Sequence, residues 1–185
     1  AHRDLHSFPT RRSSDLLTCG FCCDGTLFGH AVLKAGEKGG LPVLIEKNVF
    51  LLDGKDYFRL PCHYFDSKCT IYGSSRADVC DSYRCRLLRD MADGKIQQGE
   101  ALEIVRRARL MRQEIREAYK AFSGQREELP LTVILKELRK YHERLADNDD
   151  IDSAYEVLQA RCNIFEALLI KHFRPESDFE NMVMK

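Results

Sequence analysis

The period of the apolar positions divides the chain in two. Up to residue 89 apolar residues come in short runs, broken by glycine, proline and polar clusters. From residue 95 onward they step by alternating fours and threes, which is helical spacing. Ile104, Ala108, Met111, Ile115, Ala118 and Phe122 make one stripe, ended by Ser123 and Gly124. Pro130 opens a second helix with Leu131, Ile134, Leu135, Leu138, Tyr141 and Leu145 on one face. Residues 147–150 are all Asp or Asn and separate it from a third stripe, Ile151, Tyr155, Leu158, Cys162, Phe165 and Leu169. Three amphipathic helices on short polar links predict an antiparallel bundle or arm over 95–185. The stripes read first as core; the second reading of such narrow seams is a face for a partner helix, which would place a protein partner on this half.

The first part predicts strands and turns. Thr26 to Lys34 reads as extended, and residues 36–40 as a glycine-rich turn. The run from Val43 to Leu52 is rich in branched and apolar residues, Asp53-Gly54 follows, and then Tyr57-Phe58-Arg59-Leu60. Two apolar runs flanking Asp-Gly predict a β-hairpin. Pro61 ends its second strand and delivers Cys62. A loop carries Cys69 to Cys80, and a short helix beginning near Asp78 carries Cys85, Leu87 and Leu88. The expected fold class is α+β, mainly α: a small cysteine-rich region with a β-hairpin over 17–89, then the helical region over 95–185.

At 185 residues, 44% hydrophobic and 31% charged, the chain can bury a core and stay in solution. Lys plus Arg equals Asp plus Glu at 29 each, without the basic excess of a general nucleic-acid or acidic-membrane binder. No apolar run approaches the ~20 residues of a membrane-spanning helix. Neither nucleic acid nor membrane is therefore expected as a partner, and the expected location is cytoplasmic. Residues 7–16, Ser-Phe-Pro-Thr-Arg-Arg-Ser-Ser-Asp-Leu, resemble a translated sequencing adapter, so residues 1–16 are expected to be a non-native tail that replaces the true N-terminus.

The cysteines change the picture most. Of eight, seven fall between positions 19 and 85: Cys19, Cys22, Cys23, Cys62, Cys69, Cys80 and Cys85. Cys162 stands alone inside the third helical stripe and reads as a small buried hydrophobe. Disulfides are one use for clustered cysteines. Against them stand the long helical half, which supplies a core without staples, and Cys19-Gly-Phe-Cys22-Cys23, whose tight spacing suits ligation better than bridging. Thiolates are natural ligands for zinc and for iron, as single ions or as an iron–sulfur cluster. Eight cysteines can hold two ions, or one cubane-type cluster with spares, and spacing does not separate these cases. Cys22 and Cys23 point apart if extended and so serve one centre only in a tight turn. A helix start near Asp78 would favour the Cys80 thiolate through its free amides. A closed all-thiolate site is usually structural, whereas catalytic zinc keeps an open position.

Other side chains are secondary. His63, beside Cys62, and His30 are weaker ligand candidates. Asp24-Gly25 reads as a turn that orients the double cysteine, with Asp24 accepting amide hydrogen bonds. Tyr72 and Arg76 are placed to pack over the cluster, Arg76 offsetting thiolate charge. Tyr83 reads as core. There is no P-loop, GxGxxG, HExxH or Ser–His–Asp grouping.

Taken together, Cys-Gly-Phe-Cys-Cys-Asp-Gly-Thr-Leu-Phe (19–28), Arg-Leu-Pro-Cys (59–62), Cys-Thr-Ile-Tyr (69–72), Arg76 and Cys-Asp-Ser-Tyr-Arg-Cys-Arg-Leu-Leu (80–88) resemble the YkgJ-type cysteine-cluster family. This is the zinc- or iron-chelating domain to which flagellin lysine N-methylases are related. The resemblance covers 17–88; the helical half carries no motif of comparable specificity. The family opens with Cys-x2-Cys-x2-Cys-Cys, whose first cysteine would fall at Leu16, the last residue of the adapter-like string. The resemblance thus implies eight ligands, of which seven remain. The loop at 73–77 also departs from the family, with one extra residue and no proline. The implied function is coordination of zinc or iron by the seven cysteines without catalysis. The alternative implied by the relatives is an enzyme acting on protein lysines.

Overall fold

A computed structural model of the protein describes residues 19–145 and 152–175. The expected tail (1–16), the Leu16 position, the acidic link at 147–150, Ile151 and the Leu145 side chain lie outside the described residues. Elements follow the order β1 (His30–Val32), α1 (Val43–Glu46), β2 (Val49–Leu52), β3 (Lys55–Arg59), β4 (Phe65–Asp66), β5 (Lys68–Cys69), α2 (Asp78–Ser82), α3 (Arg86–Ala92), α4 (Gln98–Ser123), α5 (Leu131–Leu145) and α6 (Ser153–His172). The class is α+β, mainly α.

The Asp-Gly hairpin forms as the sequence requires. β2 and β3 pair antiparallel with Leu52 opposite Lys55, and Asp53 and Gly54 take φ of 47° and 74°. Two successive left-handed residues match the twist of the flanking strands. β1 joins the free edge of β3, with Ala31 opposite Phe58, giving the order β1-β3-β2. Two expectations need correction. Of the segment from Thr26 to Lys34, only His30–Val32 pairs as strand, because the Thr26 amide is taken by Asp24 Oδ1 at 3.0 Å and that of Leu27 by the Phe21 carbonyl at 2.9 Å. Val43 to Leu52 is not one extended run. It begins with the single turn α1, held by Glu46 Oε1, which accepts from the Gly39 and Leu41 amides at 2.7 and 2.9 Å. A small core of Leu33, Ile45, Phe58 and Ala77 lies beneath this sheet.

The helix expected from Asp78 through Leu88 is two helices. Tyr83 and Cys85 are extended, with ψ of 133° and 166°, and Cys85 stands at the start of α3. In the helical half, α4 packs chiefly on α6 and also on α5. Phe122 near the end of α4 meets Tyr155 near the start of α6, with centroids 6.2 Å apart, so α6 returns along α4. The expected α5 and α6 stripes are core: Leu131, Ile134, Leu138, Tyr155, Leu158, Cys162, Phe165 and Leu169 are buried. On α4 the most buried positions are Ala101, Val105, Ala108, Ile115 and Tyr119, while Ile104, Met111, Ala118 and Phe122 are half-buried beside them. The stripe is rotated and broadened because α4 is covered from several sides.

The division expected between residues 89 and 95 is not a break in packing. Phe21, Leu27, Cys85 and Leu87 belong to the same core as α4–α6. The Phe21 ring stands edge-on to Phe165 at 6.3 Å and to Phe173 at 5.2 Å. The Arg86 amide donates to the Phe173 carbonyl at 3.2 Å. Among the described residues, no helix is long and apolar enough to cross a membrane.

Candidate metal centre

Three chain segments carry the seven cysteines expected as ligands, and Cys19, Cys22 and Cys85 touch the main core. The first is a tight turn in which the amides of Cys23 and Asp24 both donate to the Gly20 carbonyl, at 2.8 and 2.9 Å. Gly20 has φ of 74°, and a Cβ there would lie 2.1 Å from Cζ of Phe65, so this position tolerates no side chain without displacing that ring. The second segment docks on the first through the backbone: the Cys62 amide donates to the Cys23 carbonyl at 2.7 Å. It then turns, with the Phe65 amide donating to the Cys62 carbonyl at 3.0 Å. The β4–β5 hairpin around Ser67, which has φ of 56°, places Cys69 opposite Phe65. The third segment carries Cys80 within α2 and Cys85 at the start of α3.

All eight cysteines are free thiols. Among the described residues, no group of three or more His, Cys, Asp or Glu side chains stands in an arrangement that could hold a metal ion. The seven thiols nonetheless lie within one another's fields. Burial pushes Cys19 up to about 11 and Cys23 up to about 12, with neighbouring thiols adding to both. Cys22 is raised by burial and then by Cys85, Cys19, Cys23 and Cys80. Burial raises Cys62, with Cys69 adding to it, and brings Cys80 to about 11 with help from Cys62. Cys85 is buried, Cys19, Cys22, Cys23, Cys62 and Cys69 are half-buried and Cys80 is exposed. Thiols crowded together and partly shielded from water hold their protons because each thiolate would be poorly solvated and would repel the next.

Cations counter this. Arg76 lowers Cys80; it lies 4.3 Å over the Tyr72 ring and pairs with Asp81. The expectation that Arg76 offsets thiolate charge acquires a specific partner in Cys80. Arg112 and Arg109 lower Cys19. The helix-start effect expected at Cys80 falls instead at Cys85: burial raises that thiol, and the amides of Leu88 and Leu87 act against the rise. The reason is positional. Cys80 sits inside α2, whereas Cys85 precedes the first residue of α3.

Asp24 anchors the double cysteine. Besides taking the Thr26 amide, its carboxylate pairs with Arg112 and lies 3.9 Å from Arg116, which pairs with Glu128 at 2.6 Å. The side chains of Asp24, Arg112 and Arg116 are only 10%, 13% and 13% exposed. Burial and the neighbouring Arg116 lower Arg112 to about 10. The group borders a cleft of about 470 Å³ between α4 and the Ser67 turn. Sequence reasoning missed Arg112 and Arg116, although Arg109, Arg112 and Arg116 at helical spacing carry a charged row beside the apolar stripe.

Among the described residues, neither His63 nor His30 joins the thiols in a group that could hold a metal ion. His63 is exposed on the turn after Cys62. His30 is exposed on the sheet, its ring 4.9 Å from Tyr57 and 5.8 Å from Phe50. Tyr83 packs on the main core and stands edge-on to Phe28 at 5.3 Å. Cys162 is fully buried, and the charged neighbour that acts on it is Glu166, not another thiol. Neither protein-family models, curated proteins nor solved structures give a match to this chain.

Proposed function

We propose that the protein binds zinc or iron through Cys19, Cys22, Cys23, Cys62, Cys69, Cys80 and Cys85, and that the metal holds the cysteine-rich region together. The observation that carries this is the gathering of seven free thiols from three separate segments, with Cys23 and Cys62 joined through the backbone and Cys19, Cys22, Cys23, Cys62 and Cys80 each raised by burial and by neighbouring thiols. The donor chemistry fits: thiolates are ligands for zinc, for iron and for iron–sulfur clusters. The spacing requires a further closing of the three segments around the metal, the coupling of binding to folding that small thiolate sites show. A bound cation takes the place of the protons and relieves the mutual repulsion of the thiolates. Arg76, Arg109 and Arg112 balance the residual negative charge from outside. The resemblance of residues 17–88 to the zinc- or iron-chelating family points the same way.

The test is elemental analysis with absorption spectra of protein purified without oxygen. Zinc or iron at one or more equivalents, lost on Cys→Ser substitution, supports the reading. A broad band near 400 nm, on the order expected for iron–sulfur charge transfer, selects the cluster form. Metal-free protein with mapped disulfides among the seven would falsify it.

A further inference from the structure

The seven cysteines are not equivalent in packing. Cys85 is a buried member of the main core, and Cys19 and Cys22 pack against that same core. Cys23, Cys62, Cys69 and Cys80 belong to neither of the two cores. The backbone follows the same division. Cys62 is bonded to Cys23 through its amide, and the β4–β5 hairpin ties Cys69 to the residues just after Cys62. The electrostatic neighbours agree. Cys85 is the thiol acting most strongly on Cys19 and on Cys22, and Cys62 is the one acting most strongly on Cys23 and on Cys80.

The dividing line runs between two adjacent residues, and the turn explains how. Cys23 and Asp24 both donate to Gly20, which coils the chain like a helical turn. Successive side chains on such a turn diverge by about 100°. Cys22 faces the helical core, and Cys23 faces the segment that carries Cys62.

We propose that the cysteines form two separate metal centres: an outer one of four thiolates, Cys23, Cys62, Cys69 and Cys80, and an inner one of three, Cys19, Cys22 and Cys85. The proposal rests on the metal-binding reading and deepens it. The outer set supplies the four thiolate donors that a structural zinc takes once the segments close around it. The inner set leaves one position for a ligand from outside the seven, which makes it the exchangeable centre. Each set has its own cationic neighbour, Arg76 beside Cys80 and Arg112 with Arg109 beside Cys19.

The experiment titrates Zn²⁺ and Co²⁺ into the full chain, reduced and metal-free, and counts bound equivalents. Two equivalents are expected. Cys69→Ser and Cys62→Ser should each keep one, with the spectrum of the inner centre; Cys85→Ser and Cys19→Ser should each keep the other. A small added thiol should shift the cobalt bands of the inner centre and leave those of the outer centre unchanged. Circular dichroism confirms that each variant keeps its helices, and using two variants per centre separates a lost ligand from a lost fold. One equivalent in the unaltered chain, abolished by substitution in either set, overturns the division and leaves metal binding standing. A single iron–sulfur cluster needing ligands from both sets does the same. No bound metal in the unaltered chain removes both proposals.

Discussion

The two halves of this chain reach order by different means. In the helical half, Ala101, Ala108, Ile115, Leu131, Ile134, Leu138, Leu158, Cys162, Phe165 and Leu169 are at most 1% exposed, and regular spacing along three helices brings them together. The cysteine-rich half has its own core of only four buried residues, Leu33, Ile45, Phe58 and Ala77. Its chain is tied by single hydrogen bonds, by the Glu46 and Asp24 carboxylates, and by lodging Phe21 and Leu87 in the core of the other half. Apolar area can support the first half without help. The second has many ordered turns per buried side chain, and backbone order costs about 1–2 kcal/mol per residue. On the proposed function, a set of ligand bonds would close that gap where a larger core does not.

The contrast is sharpest under metal removal. Linked metal binding at thiolate sites contributes about 10–16 kcal/mol, so chelation is expected to release amide protection across residues 19–85 while α4 and α6 stay protected. Hydrogen exchange with and without chelator measures this; equal loss of protection in both halves would break the comparison. Next in size is Phe165→Ala, which empties the centre of the shared core and removes the edge contact with Phe21. It should cost about 3–5 kcal/mol in denaturant unfolding. A loss confined to below about 1 kcal/mol would mean that the two halves do not share that core.

Asp24→Ala comes third. It leaves Arg112 and Arg116 buried without their common carboxylate, at about 3 kcal/mol, within the range for breaking a buried ion pair. It should also loosen metal at Cys22 and Cys23, measured by competition with a chelator. Unchanged affinity would confine Asp24 to stability alone. The smallest effect is expected at Cys162. Cys162→Ala should cost about 1–2 kcal/mol and change no metal stoichiometry. Because burial pushes this thiol up to about 12 from 9.0, the folded state keeps a proton that the unfolded chain gives up. Its contribution is full below pH 9 and declines as pH rises toward 12. The unfolding free energy of the metal-free variant should therefore fall less steeply above pH 9 than that of the unaltered chain; parallel curves would place the proton elsewhere.

How much was legible follows the same divide. The helices of the second half were readable because burial there follows a period of 3.6, and the hairpin because Asp53-Gly54 supplies the left-handed pair its turn needs. α1 was hidden, since Val43 to Leu52 has strand composition throughout and only the reach of Glu46 to the Gly39 and Leu41 amides coils its start. The break at Tyr83 was hidden because no glycine or proline marks it. The cysteines were readable as a set by their clustering. Their packing was not: which way Cys22 and Cys23 face depends on a turn closed by Gly20 and on Cys62, 39 residues further on from Cys23. Arg112 and Arg116 lay beyond reach for the same reason, since Asp24 is 88 positions from Arg112.

Phe21 sits between Cys19 and Cys22, and its ring is wedged against Phe165 and Phe173 with the Arg112 guanidinium 5.0 Å from its centre. A ring held on three sides in a close-packed interior has no slack to absorb displacement. The turn that carries the thiols is therefore geared to the far end of α6. Whatever reshapes that turn must move a helix, and a perturbation of the helix reaches the thiols by the same lever.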